Sequence, residues 1–483
     1  MSVGAARGAQ DRASMSPVAG GPSVSGFLAA STAQIVHALD EWIRIPSVAA
    51  DPERTADMLR SARWLRRRLR DAGLSSRLLR SGESAAVYAE WLVDPDLPTV
   101  LVYSHHDVRH AKAEEWHVTS PFAPTVRDNR LFGRGASDAK GQVMAHLWGL
   151  RAHLAATGRN QPAVNLKLLV EGEEEIGSPH LAELLDRHRT ELSCDIIVFS
   201  DTVQWQREAP AVVTSMRGVI TGSLSITGAA RDLHSGAVSG AAVNATHVLA
   251  EVVGGLHDAE GRVTLPGFYD DVAPLTPERR EELAELPYDD DSWTARTETR
   301  GVTGEAGYTV PERLWERPSI EVLSLLAGDP EGIARAVIPA TAQAGLSIRT
   351  VPNQKIATVA EQLREYVRQR TPETVTYSLE VDEELSQPPY VTRRGVALDC
   401  LERAIAAGFE RPTGLRMGNA GGGPADLLAR TLDADVLFLG TGLPEDHWHA
   451  GDESIDIDML LRGAASIAHL WSELGAMRPA DLR

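Results

Sequence analysis

The stretch that most constrains this chain is Leu168-Leu-Val-Glu-Gly-Glu-Glu-Glu-Ile-Gly-Ser178, an apolar run that reads as a buried strand and stops in four carboxylates. Like charges crowded at a strand end repel, so a positive partner belongs there. A metal ion is the economical one. It takes carboxylate oxygen directly, while an adjacent carboxylate that holds no ion can act as general base on water. Alone, such a run reads as a solvated acidic turn. The metal reading gains weight because His and Asp stand at the ends of other apolar runs.

Thr99-Val-Leu-Val-Tyr-Ser-His-His-Asp107 is one of these runs. Side-chain alternation puts His105 and Asp107 on one face of the strand and His106 on the other. A metal-bound imidazole with a carboxylate behind it requires that arrangement. In Leu131-Phe-Gly-Arg-Gly-Ala-Ser-Asp-Ala-Lys-Gly141, glycines surround Asp138. They let the backbone come close or take φ > 0, which suits a carboxylate held between two ions at a strand-to-helix junction. Asp195-Ile-Ile-Val-Phe-Ser-Asp201 again ends in Asp, and Asp446-His-Trp-His-Ala-Gly-Asp-Glu453 precedes a terminal helix. The strand ends thus offer His105, Asp138, Glu175, Asp201 and a histidine near 449, with Asp107 and Glu174 beside them. Two His and three carboxylates suit a pair of divalent ions, one His on each and Asp138 bridging, with a hydroxide clamped between them.

Strands alternating with helices, each strand delivering a polar residue at its end, predict a doubly wound α/β catalytic domain with its site along that edge. Helices are expected from Ser31, as a cap, and over about 52–72, with loops at 109–130 and 416–424. After Ala211 the pattern changes. Strands at 212–226, 320–326, 342–351 and 375–381, with helices at 242–256 and 357–370, predict an inserted α+β domain. The expected division is a disordered tail over 1–30, a catalytic domain over 31–211 and 386–483, and the insertion over 212–385.

The 483 residues include 48 basic and 67 acidic side chains, a net charge of −19. That balance argues against nucleic acid or an anionic membrane as partner. Only Cys194 and Cys400 occur, which excludes a disulfide framework and a Cys-based zinc site and leads to the expectation of a cytoplasmic protein. No run approaches the roughly 18 apolar residues of a membrane span.

The motifs together resemble the M20 family of co-catalytic metallopeptidases. SHHD at 104–107 is similar to its first metal motif, GRGASDAKG at 133–141 to its bridging-Asp motif, and EEEIGS at 173–178 to its base-plus-ligand pair. SDT at 200–202 and HAGDE at 449–453 resemble its remaining ligand sites. The resemblance implies that His105, Asp138, Glu175 or Asp201, and His449 hold two divalent metal ions, zinc first with manganese or cobalt as alternatives. It gives Asp107 the support of His105 and Glu174 the role of base. It also selects His449 over His447 and implies a cis peptide bond after Asp138.

LPGFYDDV at 265–272 and ERLWERPSIEV at 312–322 look like the dipeptidase and carnosinase-like branch. In that branch the inserted domain serves as a lid, with His234, Asn244 and Arg349 as substrate contacts. The domain dimerises and lends the histidine to its partner, so a homodimer is expected. Val243, Val248, Leu249 and Val252 either face the twin or form the domain's own core. One departure stands out. Gly422 replaces a Ser that helps hold the substrate's carboxylate in the family, while Ala139 replaces a non-ligand Asp. The implied activity is hydrolysis of the amide bond in dipeptides or small N-acyl amino acids. An amidase for a metabolite without a standard carboxylate and an inactive scaffold on the same fold are the other readings.

Overall fold

The computed structural model describes residues 21–82, 84–328 and 335–482. In the larger sheet, Asn165–Glu171, Thr99–His105, Ile196–Phe199 and Asp435–Phe438 lie side by side and parallel. The antiparallel hairpin of Ser75–Ser81 and Ser84–Trp91 flanks them on one side. Val212–Met216, paired with Tyr390–Val391 and Arg416–Asn419, flanks them on the other. Every residue of Asn165–Glu171 is buried, as happens when helices cover both faces of a parallel sheet.

Helices Val24–Ile43, Lys140–Thr157, Val396–Phe409 and Ile457–Gly475 share one core through Leu39, Trp42, Leu147, Leu401 and Trp471. Leu181–Arg187 and Ala425–Leu432 join a second core through Leu185 and Leu428, with Phe199 and Phe438 from the sheet. The result is the expected doubly wound layer, whose parallel strands bring their C-terminal ends to one edge. Buried Lys140 ties that edge to the N-terminal helix. Its Nζ donates to the carbonyls of Trp42 at 3.1 Å and Ile45 at 2.8 Å, satisfying acceptors that a helix end leaves open.

A four-stranded antiparallel sheet forms the second layer system, in the order Ser319–Ala327, Thr341–Thr350, Gly218–Thr227 and Thr376–Val381. Helices Ala245–Gly254 and Ile356–Arg370 pack on it through Val248, Leu249, Val252, Leu363 and Val367, against Ile220, Leu224 and Ile348. Tyr366 Oη donates to Val252 O at 2.8 Å and locks the two helices together. Val248, Leu249 and Val252 therefore belong to the domain's own core, with Val243 packed at its margin.

Several expectations are corrected. The first helix starts at Val24, not Ser31, because Ser23 Oγ accepts the Gly26 N–H at 3.0 Å and Leu28 extends the buried stripe. Residues 24–30 are thus helical. The first 20 residues of the expected tail lie outside the described residues. The 109–130 and 416–424 segments contain short strands, Thr125–Arg127, Arg130–Phe132 and Arg416–Asn419. Val212–Met216 belongs to the large sheet, so the chain enters the smaller sheet at Gly218 instead of residue 212. Finally, Leu283, Leu286 and Trp315, from within the expected insertion, sit in the same buried cluster as Phe199 and Met417. Leu283 and Trp315 lie on short helices, with Leu286 just beyond the first, and the large sheet supplies the apolar surface they cover.

Candidate metal centre

His105 is the last residue of its strand. His106 turns to the opposite face, where its Nε2 meets Ala85 O at 2.8 Å, as the alternation predicts. His105 Nδ1 lies 3.1 Å from the Asp107 carbonyl and 3.4 Å from its Oδ1. Donation at Nδ1 leaves the Nε2 lone pair for a cation. The same Asp107 carboxylate accepts the backbone N–H of Glu174 at 3.3 Å and of Glu175 at 3.0 Å. One buried carboxylate therefore orients an imidazole and fixes the neighbouring acidic turn.

Asp138 stands just before helix Lys140–Thr157, and the peptide bond to Ala139 is cis. Glu453 holds this turn. Its Oε1 accepts the N–H groups of Ser137 at 3.0 Å and Asp138 at 3.1 Å, while Oε2 accepts Gly135 N–H at 3.0 Å and Arg134 Nη1 at 2.7 Å. Ser137 Oγ donates to Asp446 Oδ2 at 2.6 Å and accepts from Trp448 Nε1 at 2.8 Å. The loop that carries His449 is thereby stitched to the loop that carries Asp138. Sequence reasoning used Glu453 only for spacing and gave no role to Ser137, Asp446 or Trp448. The available signal was a carboxylate opposite a glycine-rich turn with free N–H groups.

The groups converge in two sets, His105 with Asp138 and Asp201, and His449 with Asp138 and Glu175. Asp138 faces both. Its Oδ1 lies 3.1 Å from His105 Nε2 and its Oδ2 lies 2.9 Å from His449 Nε2. His105 Nε2 is 3.6 Å from Asp201 Oδ1, and His449 Nε2 is 3.3 Å from Glu175 Oε2. Tetrahedral donors about 2.1 Å from one ion stand roughly 3.4 Å apart, so these spacings match donors arranged around a point. Glu175 Oε1 and Asp201 Oδ1 are buried without a hydrogen bond. Buried carboxylate oxygens are normally paired, and a cation supplies what these lack. The mixed N and O donor set fits divalent ions.

Electrostatics agree. Burial, then Asp138, pushes Glu175 up to about 7. Burial, then Asp201, pushes Glu174 well above the usual carboxylate range. Burial disfavours charge on His449, yet hydrogen bonding to Asp138 and Glu175 raises it to about 10. Without ions the cluster draws protons to relieve its negative charge.

The other expected residues lie apart. Among the described residues, His234 is exposed and has no hydrogen bond or ion pair to the cluster. Asn244 caps Ala245–Gly254, its Oδ1 accepting Thr246 N–H at 2.9 Å. Arg349, on Thr341–Thr350, and Gly422 are neighbours, since a Cβ built on Gly422 would stand 3.4 Å from Arg349 Nη1.

Two candidate cation sites sharing one carboxylate, at the C-terminal edge of a doubly wound sheet with an inserted antiparallel domain, point to the class of metal-dependent α/β proteins. The chain belongs to peptidase family M20/M25/M40, whose profile matches residues 101–473. It is similar to the beta-Ala-His dipeptidase of Rattus norvegicus, with 26% identity over 92% of this chain and 93% of that one. A Cys-Gly metallodipeptidase of Schizosaccharomyces pombe shares 29% identity over 80% of this chain and 82% of its own length. Human carnosine dipeptidase 1 has the same fold, with a TM-score of 0.83 at 24% identity, over 94% of this chain and 98% of that one.

Glu453 orients Asp138 without being a ligand, and an amide in its place cannot accept from all four donors. Glu453→Gln is expected to weaken metal binding about 10- to 100-fold, the usual cost of losing a group behind a ligand. Metal content after dialysis against graded chelator, with circular dichroism to show the fold intact, checks this.

Proposed function

We propose that this chain hydrolyses the amide bond of dipeptides or small N-acyl amino acids with the help of two divalent ions. The observation that carries the reading is Asp138 shared between two donor sets, with the Glu174 carboxylate beside them. His105, Asp138 and Asp201 would hold one ion; Asp138, Glu175 and His449 would hold the other, with zinc first and manganese or cobalt as alternatives. The ions, when bound, supply Lewis acidity toward a carbonyl and toward water. Glu174 Oε2 lies 4.0 Å from His105 Nε2 and has no hydrogen-bond partner among the described residues. It is free to take a proton from water and return it to the departing amine. Asp107 keeps the His105 tautomer fixed throughout.

Arg349 is the proposed anchor for a substrate carboxylate. It is half-buried, without a carboxylate partner among the described residues, and burial lowers its pKa. An unpaired guanidinium in such a place favours an anion. Gly422 adds a constraint, because a Cβ there would come within 2.6 Å of Val219 Cγ1. Val219 fills the space that a Ser side chain would need. That observation favours the second reading, an amide substrate whose anchoring group is not an ordinary free carboxylate.

We further propose a homodimer with a cytoplasmic setting, in line with two buried cysteines free of disulfides. Ser319–Ala327 is an edge strand that exposes Leu323, Leu325 and Leu326 by 68, 55 and 58%. An unprotected apolar edge is a pairing surface. With His234 exposed and, among the described residues, without a hydrogen bond or ion pair to its own cluster, the twin's cluster is its proposed destination.

Glu174→Gln is expected to keep both ions and lose 10²- to 10⁴-fold in kcat, whereas Glu175→Gln loses metal. Elemental analysis alongside kinetics separates them, and equal metal loss in both would sink the assignment. Arg349→Ala should raise KM about 10- to 100-fold for substrates with a free carboxylate, as expected for a lost charged hydrogen bond. Unchanged kinetics would favour the second reading. Mixing inactive His234→Ala with inactive Glu174→Gln should restore up to about one quarter of wild-type activity under random pairing in a two-fold dimer. No recovery despite demonstrated subunit exchange would place His234 in its own chain or outside catalysis.

A further inference from the structure

Arg109 stands two residues beyond Asp107, and its Nε lies 2.9 Å from Glu175 Oε2. That oxygen is also the one 3.3 Å from His449 Nε2, on the cation side of the carboxylate. The guanidinium therefore contacts the carboxylate that an ion in the His449 set needs, at the oxygen next to His449, while Oε1 is buried without a hydrogen bond. The His105 set differs. Among the described residues no Arg or Lys pairs with Asp138 or Asp201, whose charged partners are His105 and His449. Exposure divides the sets in the same way. The difference lies in the histidines, His105 being 0% and His449 50% exposed, while Asp138, Asp201 and Glu175 are 4, 9 and 2% exposed.

We propose that Arg109 is a built-in competitor for the second cation, making the two sites fill in order, the buried His105 set first and the His449 set second. The inference rests on the two-ion reading above. While only the first ion is present, Glu175 keeps a cationic partner in Arg109, so the half-loaded centre does not leave a bare buried carboxylate. The second ion competes with that partner for Glu175. Arg109 can leave because half of it already faces water, while the incoming ion takes over the pairing of the buried Glu175 carboxylate. The second site is then an exchangeable one whose occupancy follows the free metal concentration, and the first is a resident one.

The test is calorimetric titration of zinc into metal-free full-length protein, with bound metal counted by elemental analysis. Wild type should take up two ions in two resolved steps. Arg109→Gln should tighten the second step about fivefold to tenfold, equal to roughly 1 to 1.4 kcal/mol, and leave the first within about twofold. Arg109→Lys, which keeps the charge, should stay near wild type. Glu175→Gln should abolish the second step alone, which assigns that step to the His449 set. Two ions bound with a second step unmoved by Arg109→Gln, or with both steps moved equally, would overturn the competitor role and leave the two-ion reading standing. Fewer than two ions in wild type would overturn both. Arg109 is half exposed, and thermal melting of each metal-free variant confirms that the fold is retained.

Discussion

Repulsion among buried carboxylates is the constraint on which this structure depends. The parallel strands end at one edge of the sheet, where they deliver Glu174, Glu175 and Asp201, and the turn before helix Lys140–Thr157 adds Asp138 within the same small volume. Four such groups in a low-dielectric setting are untenable as four bare charges. Two divalent ions, as proposed, would carry the four positive charges that balance them, with His105 and His449 as neutral donors. The surrounding hydrogen bonds follow from this demand. Asp107 and Glu453 spend their oxygens largely on backbone N–H groups of the ligand turns, so they position ligand residues by anchoring main chain. Lys140, a positive charge close to the cluster, is directed away from it onto the carbonyls of Trp42 and Ile45.

The part of the site legible in sequence is the part encoded by strands. Apolar runs ending in His105, Glu171 and Phe199 gave the sheet, and side-chain alternation separated His105 from His106. Of the residues delivered by turns, Asp138 was marked by the glycines around it, whereas His449 was chosen over His447 only through the family motif. The contacts that bind those turns to each other were not legible. Glu453 and Asp138 are far apart in the chain, and no local periodicity reports that one carboxylate collects the N–H groups of Gly135, Ser137 and Asp138. The Arg109–Glu175 contact escaped for the same reason.

Element boundaries failed where burial is supplied from a distance. The helix from Val24 has only Phe27 and Leu28 among small residues to mark its early turns, so its amphipathic pattern appeared to begin later. Leu283, Leu286 and Trp315 lie in a charged, irregular stretch that reads as part of the insertion. They are held by a surface around Phe199 and Met417 that local pattern does not predict. The division between sheets falls between Met216 and Gly218, inside what reads as one continuous β segment. Gly218 marks the change, since a Cβ there would meet Thr350 Oγ1 at 2.2 Å and Gln387 O at 2.7 Å. A close backbone crossing is a three-dimensional fact, and glycine is its only trace in sequence.

The replacement at Gly422 looks in sequence like the loss of a single donor. The structure makes it half of a pair. Val219 lies opposite Arg349 in the register of the smaller sheet, so the side chain that crowds position 422 comes from the strand beside the proposed anchor. A larger residue at 422 would push Val219, and through the sheet pairing it would disturb Arg349. A smaller residue at 219 without a larger one at 422 would open a void beside an unpaired guanidinium. Positions 219, 349 and 422 therefore form one packing unit, and a change in what Arg349 recognises has to be carried by at least two of them together.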